Sequence, residues 1–400
     1  KVADRHGLVC LLHEKPFRGV NGSGKHNNWS IETNTGLNLF KPGDDPFENT
    51  VFLLFLAAVI TAVDNYQDLL RISVASPSND CRLGGNEAPP AIVSMYLGDE
   101  LTGILDCVES GKKYFGAKRT HMQTGVHVLP DFKKDTTDRN RTSPFAFTGN
   151  KFEFRMPGSA QSISDTNTVL NTALAEVLSG FADRLEGKKE VSAAARRIVR
   201  DAYREHKRII FNGNNYSEEW VKEAEKRGLC NLPTAADAIP LLVKEKNMAL
   251  FSKTGIFSET ELRSRCAIML QNYVSVLSIE ALTMLDMARV QFAPALNRGA
   301  AELCRQLSEV QGIGVQTGSL QAAAVAAVDS VEALYQATKN LSDACASLKT
   351  MGDVGASADF CRDTLLPRME ELRTVVDTAE KVTPADLWPM PTYKDLLFNV

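Results

Sequence analysis

The sequence lacks the features of several protein classes. None of its 8 cysteines forms a CxxC pair, and their scatter over 400 residues is typical of a reducing, cytoplasmic compartment. There is no basic excess, since the formal net charge is -4, which argues against nucleic acid as a partner. The apolar run 51–63 is shorter than the roughly 20 residues that cross a bilayer, so we expect a buried helix there and no membrane partner.

The pattern that is present changes near residue 160. Before it, short apolar or alternating runs predict strands at 7–15 and 151–156, and one helix is predicted over 46–73. After it, apolar residues recur at helical spacing. Helices are predicted over 167–187, 217–228, 259–296, 321–348 and 358–382, with a loop at 312–320. This order predicts an α+β part followed by a mainly α-helical one. Because the chain opens without methionine, on KVADRHGLVCLL, we also expect a part of a longer protein.

A glycine-rich segment, GVNGSGKHNNWS at 19–30, is the first candidate site. Gly19 to Lys25 fits the phosphate-binding pattern G-x-x-x-x-G-K, but His26 stands where that pattern needs Ser or Thr. The residues that follow alternate like a strand, whereas a P-loop leads into a helix. The segment is therefore interpreted as a glycine turn between strands, which either only connects them or brings a histidine and several asparagines close to a ligand.

Alternation in KFEFRM, 151–156, predicts a two-faced strand. Lys151, Glu153 and Arg155 share one face, and the two phenylalanines and the methionine share the other. Two interpretations stay open from the pattern alone. The charged face is either solvated, or it is a site with one metal-binding carboxylate between two cations.

Two further segments are weak signals when taken singly. RNRTSPFAFTGN places Arg141 before a Ser-Pro turn, and RLGGNEAPP places Arg82 and Glu87 around a Gly-Gly-Asn turn. Arginines on loops are more often solvated than catalytic. The second segment also has the composition of a mobile flap that carries one carboxylate.

Together, NGSGKHNNWS, RLGGNEAPP, RNRTSPFAFTGN and KFEFRMPGS occur in the order and rough spacing of the glutamine synthetase family, and their wording resembles the type III branch. The resemblance covers essentially the whole chain. It implies an antiparallel curved sheet with packed helices, followed by a mainly α-helical C-terminal region. It also implies that 1–187 are the C-terminal part of the catalytic domain and that 188–400 are the helical region, whose last residues pack back on the core.

The resemblance implies a role for each matched residue around the glutamate. Asn21 and Gly22 match the loop that holds glutamate, and Arg82 matches the arginine on its α-carboxylate. Arg155 matches the arginine at the γ-carboxylate, where the acyl phosphate forms. Glu87 matches the flap glutamate, which shields that intermediate from water and takes a proton from ammonium.

The remaining matches concern ATP and a divalent cation, Mg²⁺ or Mn²⁺. His26 and Glu153 match metal ligands, and Arg141 matches an arginine on the transferring phosphoryl group. Positions near the nucleotide are matched by Asn28, Ser30, Arg141 and Lys151. The implied reaction is ATP-dependent ligation of ammonia to L-glutamate through γ-glutamyl phosphate, in a homo-oligomer that we expect to be a dodecamer of two hexameric rings with active sites between subunits.

Two departures limit what the resemblance implies. Types I and II carry a second arginine at the position of Ala146, so a further cation must come from elsewhere. The family's other metal carboxylates and the ammonium-site aspartate have no match, so these residues hold an incomplete active site. Two alternatives stay open: a glutamate–amine ligase of the same fold, and a non-catalytic assembly protein.

Overall fold

The computed structural model describes residues 1–8, 10, 13–17, 19–115, 121–122, 132–133, 140–315 and 317–391. The chain divides into two compact units, Leu11–Cys266 and Lys1–Cys10 with Ala267–Val400. All of the candidate site residues lie in the first of these units.

The first unit contains a mixed sheet of four strands. The strands are β1 (Asn27–Trp29), β2 (Met95–Tyr96), β5 (Phe145–Phe147) and β6 (Phe152–Phe154), in the order β1-β6-β5-β2. A separate antiparallel pair is formed by β3 (His121–Met122) and β4 (Phe132–Lys133). In the four-stranded sheet β6 runs antiparallel to both neighbours, whereas β2 pairs parallel with β5. The predicted α+β class is thus confirmed, with one parallel pair in a sheet predicted to be antiparallel.

Aromatic residues explain why β5 and β6 form at the centre of this sheet. Phe145, Phe152 and Phe154 are fully buried, and the rings of Phe145 and Phe152 stack with centroids 5.0 Å apart. Each such side chain contributes roughly 1.5–3 kcal/mol when it leaves water. The two-faced strand predicted from KFEFRM is confirmed, because its phenylalanines lie in the core while Glu153 faces away from them. The strand predicted at 7–15 is wrong for the described residues of that range, which lie in turns and irregular backbone.

The apolar run 51–63 lies in α2 (Thr50–Asn65), which is buried almost throughout. One helix was expected over 46–73, but the helical chain starts later and breaks at Tyr66, before α3 (Gln67–Ile72). The later start has a local cause: the Asn49 side chain accepts a hydrogen bond from the backbone N–H of Phe52 and caps the helix. Because α2 packs against helices on more than one side, no polar face interrupts its run.

The other helices of this unit surround α2 and the sheet. They are α4 (Pro77–Arg82), α5 (Asp99–Ser110), α6 (Ser164–Leu185), α7 (Val191–His206), α8 (Glu218–Lys226), α9 (Ala235–Ala238) and α10 (Glu245–Lys253), with 3-10 turns at Lys207–Ile209 and Ile239–Val243. The helices predicted at 167–187 and 217–228 are confirmed. Gly187 and Gly228 follow their ends with φ of 70° and 71°, a conformation that glycine adopts without strain.

The second unit is helical apart from its connections. A continuous helix, Glu259–Gly312, begins in the first unit and belongs to the second from Ala267 onward. It contains α11 (Glu259–Met287), a π-helical segment (Ala288–Phe292) and α12 (Ala293–Gly312). After a connection at 313–317 come α13 (Gly318–Lys349), α14 (Val354–Phe360), a second π-helical segment (Cys361–Leu365) and α15 (Leu366–Glu380). The short α1 (Val2–Arg5) belongs to the same unit. The helices predicted at 321–348 and 358–382 are confirmed. Of the loop predicted at 312–320, residues 313–315 and 317 are non-helical, whereas α12 includes Gly312 and α13 already begins at Gly318.

Both π-helical segments come just before a proline, Pro294 and Pro367. A proline inside a helix lacks the N–H, and its ring clashes with the carbonyl four residues earlier. A π-helical turn widens the backbone at that point and lets the helix continue. The helix predicted over 259–296 thus continues past Pro294, and it runs on beyond the predicted end to Gly312. Among the described residues Glu259–Gly312 is also long and apolar enough to cross a membrane, a criterion that core helices meet as well.

Candidate active site

Pairing of β1 with β6 brings His26 beside Glu153. Asn28 on β1 faces Glu153 on β6, and His26 immediately precedes β1. The Nδ1 atom of His26 lies 2.8 Å from Oε1 of Glu153. The second carboxylate oxygen, Oε2, accepts hydrogen bonds from Nε (2.9 Å) and Nη2 of Arg155. The two predicted metal ligands, His26 and Glu153, therefore lie together with the predicted Arg155.

The charge of Glu153 is stabilised in place. Burial by itself would raise the pKa of this carboxyl, but hydrogen bonds from Arg155, the charge of Arg155 and the contact with His26 bring the pKa below its usual value. Glu153 is therefore ionised at neutral pH, as a carboxylate that binds a cation must be.

Arg155 connects this strand to the turn that carries Arg141. Its guanidinium is buried, and Nη1 donates to the carbonyl oxygens of Asn140 and Ser143. Arg141, one of the two residues between them in this turn, is exposed. The two arginines that were predicted to act on the γ-carboxylate and the phosphoryl group are thus coupled through one hydrogen-bonded turn.

The predicted nucleotide residues lie along the same pair of strands. Asn28 is exposed in the middle of β1, and Lys151 precedes β6. Ser30 donates from Oγ to the carbonyl of Asn150 (3.1 Å) and accepts from Nδ2 of Asn38 (3.0 Å). These contacts link Ser30 to the residue that precedes Lys151, and they add Asn38, which the sequence did not indicate.

Arg82 is buried and binds the end of β6. Its Nη1 donates to the side chain of Asn79 (3.2 Å) and to the carbonyls of Met156 (2.9 Å) and Pro157 (3.2 Å), and Nη2 donates to the carbonyl of Arg155 (2.9 Å). Burial lowers the pKa of this guanidinium, and the charge of Glu14 opposes that effect. The predicted role of Arg82 on the glutamate α-carboxylate stays a prediction.

Glycines of the NGSG segment give Arg82 its space. A Cβ on Gly22 would lie 2.9 Å from Cγ of Arg82, and a Cβ on Gly24 would lie 2.2 Å from its Nη2. Distances below 3.0 Å are not found for real Cβ atoms, so a neighbour would have to move. These glycines are required because the backbone passes close to Arg82. The spacing that resembles a P-loop is therefore explained by packing against Arg82 and needs no bound phosphate. The segment leads into the strand β1, as predicted, whereas a P-loop would lead into a helix.

Replacing Gly24 with alanine should destabilise the protein by about 1–3 kcal/mol, because the new methyl group overlaps a buried guanidinium that four oxygen atoms hold in place. The measurement is the free energy of unfolding in denaturant. Gly180→Ala is the matched control, since this helical glycine has free space around it and alanine should stabilise the helix by about 0.5–1 kcal/mol. Equal stabilities of the two variants would contradict the packing argument.

The flap segment contacts the glycine segment. Nδ2 of Asn21 donates to Oε2 of Glu87 at 2.6 Å, and Nδ2 of Asn86 donates to the carbonyl of Gly19. Glu87 has a φ of 51°, the only positive φ outside glycine in the described part of the chain. Such backbone strain in a polar loop is typical of functional segments. Two residues predicted for glutamate and ammonium are thus in direct contact.

Ala146 lies directly opposite Glu153 in the pairing of β5 with β6, and it is buried. Paired residues share a face of the sheet, so an arginine at this position would stand beside Glu153. The position where types I and II carry the second arginine therefore lies beside Glu153, the proposed metal ligand.

Sequence reasoning missed Glu14 and Tyr216. Glu14 is buried, its Oε1 accepts from the backbone N–H of Ala160 (3.0 Å), and its carbonyl accepts from that of Ser23 (2.7 Å). A single glutamate after a histidine forms no sequence pattern, so nothing in the sequence indicated that Glu14 would bind the backbone of Ser23 and Ala160. Tyr216 donates from its hydroxyl to the carbonyl of Arg141 at 3.3 Å, across 75 positions of sequence.

Comparison with known proteins relates the chain to glutamine synthetases. Residues 194–311 match the family model described as the glutamine synthetase C-terminal domain. The chain is 41% identical over 406 residues to the type-3 glutamine synthetase of Dictyostelium discoideum, covering 99% of this chain and 55% of that protein. It is 41% identical over 418 residues to the glutamine synthetase of Butyrivibrio fibrisolvens, covering 100% of this chain and 57% of that protein.

The chain is homologous to type-3 glutamine synthetases. A third glutamine synthetase, from Bacteroides fragilis (strain YCH46), is 36% identical over 415 residues and covers 100% of this chain and 56% of its own length. The chain thus spans little more than half the length of the curated glutamine synthetases that it matches. The motif residues between Asn21 and Arg155 lie outside the family-model match but inside all three alignments, which extend over essentially the whole chain.

The residues of this glutamine synthetase homologue fit part of a divalent-cation site. An ionised carboxylate and an imidazole nitrogen converge at 2.8 Å, and more than half of the His26 side chain is exposed to an incoming ion. Carboxylate oxygen is the ligand that Mg²⁺ and Mn²⁺ prefer, and neutral imidazole is a common ligand of divalent metals in proteins. In the described ranges no third His, Cys, Asp or Glu joins such a group.

Proposed function

We propose that the protein catalyses the ATP-dependent ligation of ammonia to L-glutamate, which gives L-glutamine, ADP and phosphate through γ-glutamyl phosphate. The observation that carries the proposal is the cluster of His26, Glu153 and Arg155, which is brought together from two strands that are distant in sequence. The relatives' name, glutamine synthetase, supports the same reaction.

Activation of glutamate is assigned to Arg155 and Arg141. A carboxylate is a poor electrophile, so ATP must convert the γ-carboxylate to an acyl phosphate. Phosphoryl transfer needs preorganised positive charge more than covalent chemistry. Arg155 is buried and fixed by Glu153 and two carbonyls, which makes it a preorganised donor, while the exposed Arg141 beside it is free to meet the transferring phosphoryl group.

Attack by ammonia is assigned to the flap. Ammonium must lose a proton before its nitrogen can attack, so a carboxylate has to stand near the acyl carbon. Glu87 is that carboxylate, and its contact with Asn21 holds it over the proposed glutamate loop of Asn21 and Gly22. A loop in this position also limits hydrolysis of the acyl phosphate.

Binding of the substrates is divided between the two ends of β1. Arg82 is assigned to the glutamate α-carboxylate: its recorded bonds engage Nη1 and Nη2 and leave Nε–H, within the described part of the chain, as a donor for a ligand. Asn28, Ser30 and Lys151 are assigned to ATP. His26 and Glu153 would hold Mg²⁺ or Mn²⁺, which neutralises phosphate charge when bound.

The proposed assembly is a cytoplasmic homo-oligomer, a dodecamer of two hexameric rings, in which active sites form between subunits. We assign 1–187 to the catalytic domain and 188–400 to the helical region. The start of the family-model match at residue 194, close to this boundary, supports the division. Shared active sites agree with a metal pair that lacks further ligands among the described residues.

The direct test is an assay of the full-length protein with glutamate, ATP and Mg²⁺ and with either ammonium or an organic amine. Glutamine should form with ammonium, and ethylamine or a polyamine should be poor substrates. Faster reaction with an amine would favour the glutamate–amine ligase. No turnover with either nitrogen donor would favour the assembly protein.

His26→Ala should lower metal-dependent turnover by about 10²-fold while leaving assembly unchanged. The imidazole is one of two described groups that can hold the cation, and loss of an orienting ligand commonly costs 10–100-fold in metal affinity or activity. Glutamine formation is measured against Mg²⁺ and Mn²⁺ concentration, and assembly by size-exclusion chromatography. His6→Ala, at an exposed position of the other unit, is the control. Unchanged turnover in His26→Ala would contradict the assigned ligand.

A further inference from the structure

A loop rich in asparagine, FNGNNYS at 211–217, contacts the candidate active site from the helical half of the sequence. One side of this asparagine loop is attached to β2 and the start of α5. The N–H of Phe211 donates to the carbonyl of Met95 (2.8 Å). The side chain of Asn212 accepts from the N–H groups of Leu97 and Gly98 (3.2 Å each) and donates to the hydroxyl of Thr102 (2.9 Å).

The other side of the loop is attached to the turn of Arg141. Asn140 donates from Nδ2 to the carbonyl of Gly213 (2.7 Å), and the N–H of Asn215 donates to Oγ1 of Thr142 (2.9 Å). Between these two contacts the hydroxyl of Tyr216 donates to the carbonyl of Arg141 at 3.3 Å. Three consecutive residues, 140–142, are therefore bound by the asparagine loop.

The asparagine loop is itself held in one conformation. The ring of Phe211 stacks on the buried Trp220 at 3.8 Å, and Arg227 lies over both rings while it donates to the carbonyl of Ile210 (2.8 Å). Gly213 passes so close to the Phe211 ring that a Cβ would lie 2.6 Å from it. A loop fixed by stacking and close packing can fix what it binds.

Tyr216 stands within range of the other proposed site residues. Its ring is partly buried, and burial raises the pKa of its hydroxyl. The charge of Glu87 raises that pKa further, whereas the charges of Arg155 and Arg82 lower it. The charges of the flap carboxylate and of two arginines of the candidate active site thus act on the pKa of this phenol.

We propose that Tyr216 is a positioning residue for phosphoryl transfer, whose hydroxyl holds the carbonyl of Arg141 so that the asparagine loop presents the Arg141 side chain to the phosphoryl group. This inference rests on the proposed function. Arg155 also binds this turn, because its Nη1 donates to the carbonyl of Asn140. The turn is therefore held from two directions, by the strand that carries Glu153 and by a loop outside the recognised motifs.

The test is Tyr216→Phe in the full-length protein. Tyr216→Phe removes the hydrogen bond that positions Arg141, and Arg141 is assigned to the phosphoryl group in the transition state. The variant should therefore lower kcat about tenfold and leave the KM for glutamate within about twofold. Tyr335→Phe, which removes an exposed phenol from α13 in the other unit, should leave both constants unchanged. Thermal melting of the variants should agree with that of the original protein.

A double-mutant cycle with Arg141→Met distinguishes positioning from a separate role. If Tyr216 acts through Arg141, the phenylalanine substitution should have no further effect on kcat in the Arg141→Met background. Independent, multiplicative effects would overturn the inference, and so would an unchanged kcat or a raised KM at constant kcat in Tyr216→Phe. Absence of glutamine formation by the unsubstituted protein would instead refute the proposed function, and the inference with it.

Discussion

Substitution of Arg155 by methionine should lower kcat for glutamine formation by about 10³-fold. One preorganised donor to developing charge is commonly worth 10²–10³ in kcat, and this arginine also orients the carboxylate of Glu153 and the turn of Arg141. Steady-state kinetics over glutamate and ATP concentration measure the change. Because the interaction is assigned to the transition state, kcat should fall more than the KM for glutamate rises.

The control for Arg155 has to separate chemistry from folding. Methionine leaves the largely buried Glu153 without its cation, so the variant should also melt at a lower temperature. Arg155→Lys keeps the charge but cannot form the forked contact with Oε2, and it should still lose most of the activity at a smaller cost in stability. Arg305→Met, on an exposed face of α12, should change neither property. Full activity of Arg155→Lys would contradict a requirement for the fork.

Local structure was predictable here wherever its cause is local. The alternation in 151–156 predicted β6, because successive side chains of a strand point to opposite faces. Ser217 and Gly228 predicted the ends of α8, because a cap and a terminal glycine act within one helical turn. The start of α2 was misplaced because Pro46 and its acidic neighbours resemble a helix start, whereas Asn49 provides the cap. The predicted helix 259–296 already passed Pro294, but its end was placed too early, since α12 runs on to Gly312.

The candidate site was predictable only through the resemblance. His26 and Glu153 are 127 positions apart, and Asn21 and Glu87 are 66 apart, so neither contact leaves a periodic trace in the sequence. The asparagine loop shows the limit of this approach. Its asparagines have the composition of an ordinary turn, and only the fold shows that Tyr216 meets the Arg141 segment across 75 positions.

Glu87→Gln should nearly abolish glutamine formation while hydrolysis of ATP that depends on glutamate continues. The amide oxygen of glutamine can still accept the hydrogen bond from Asn21, so the flap keeps its contact, but an amide cannot take a proton from ammonium. General-base catalysis contributes about 10²–10⁴-fold, which sets the expected loss in kcat. Two assays on the same sample, for glutamine and for inorganic phosphate without ammonium, measure the separation.

Two companion variants show whether that loss belongs to the carboxylate or to the flap. Glu87→Ala removes the contact with Asn21 as well, so it should lose glutamine formation and also release the acyl phosphate to water faster than Glu87→Gln does. Glu87→Gly removes the strain of a φ of 51° and should melt no lower than the original protein, although it is equally inactive. If Glu87→Gln made glutamine at the original rate, the proton acceptor would be another group. If ATP hydrolysis and glutamine formation fell together, Glu87 would act in forming the acyl phosphate, and the flap would serve the first half of the reaction.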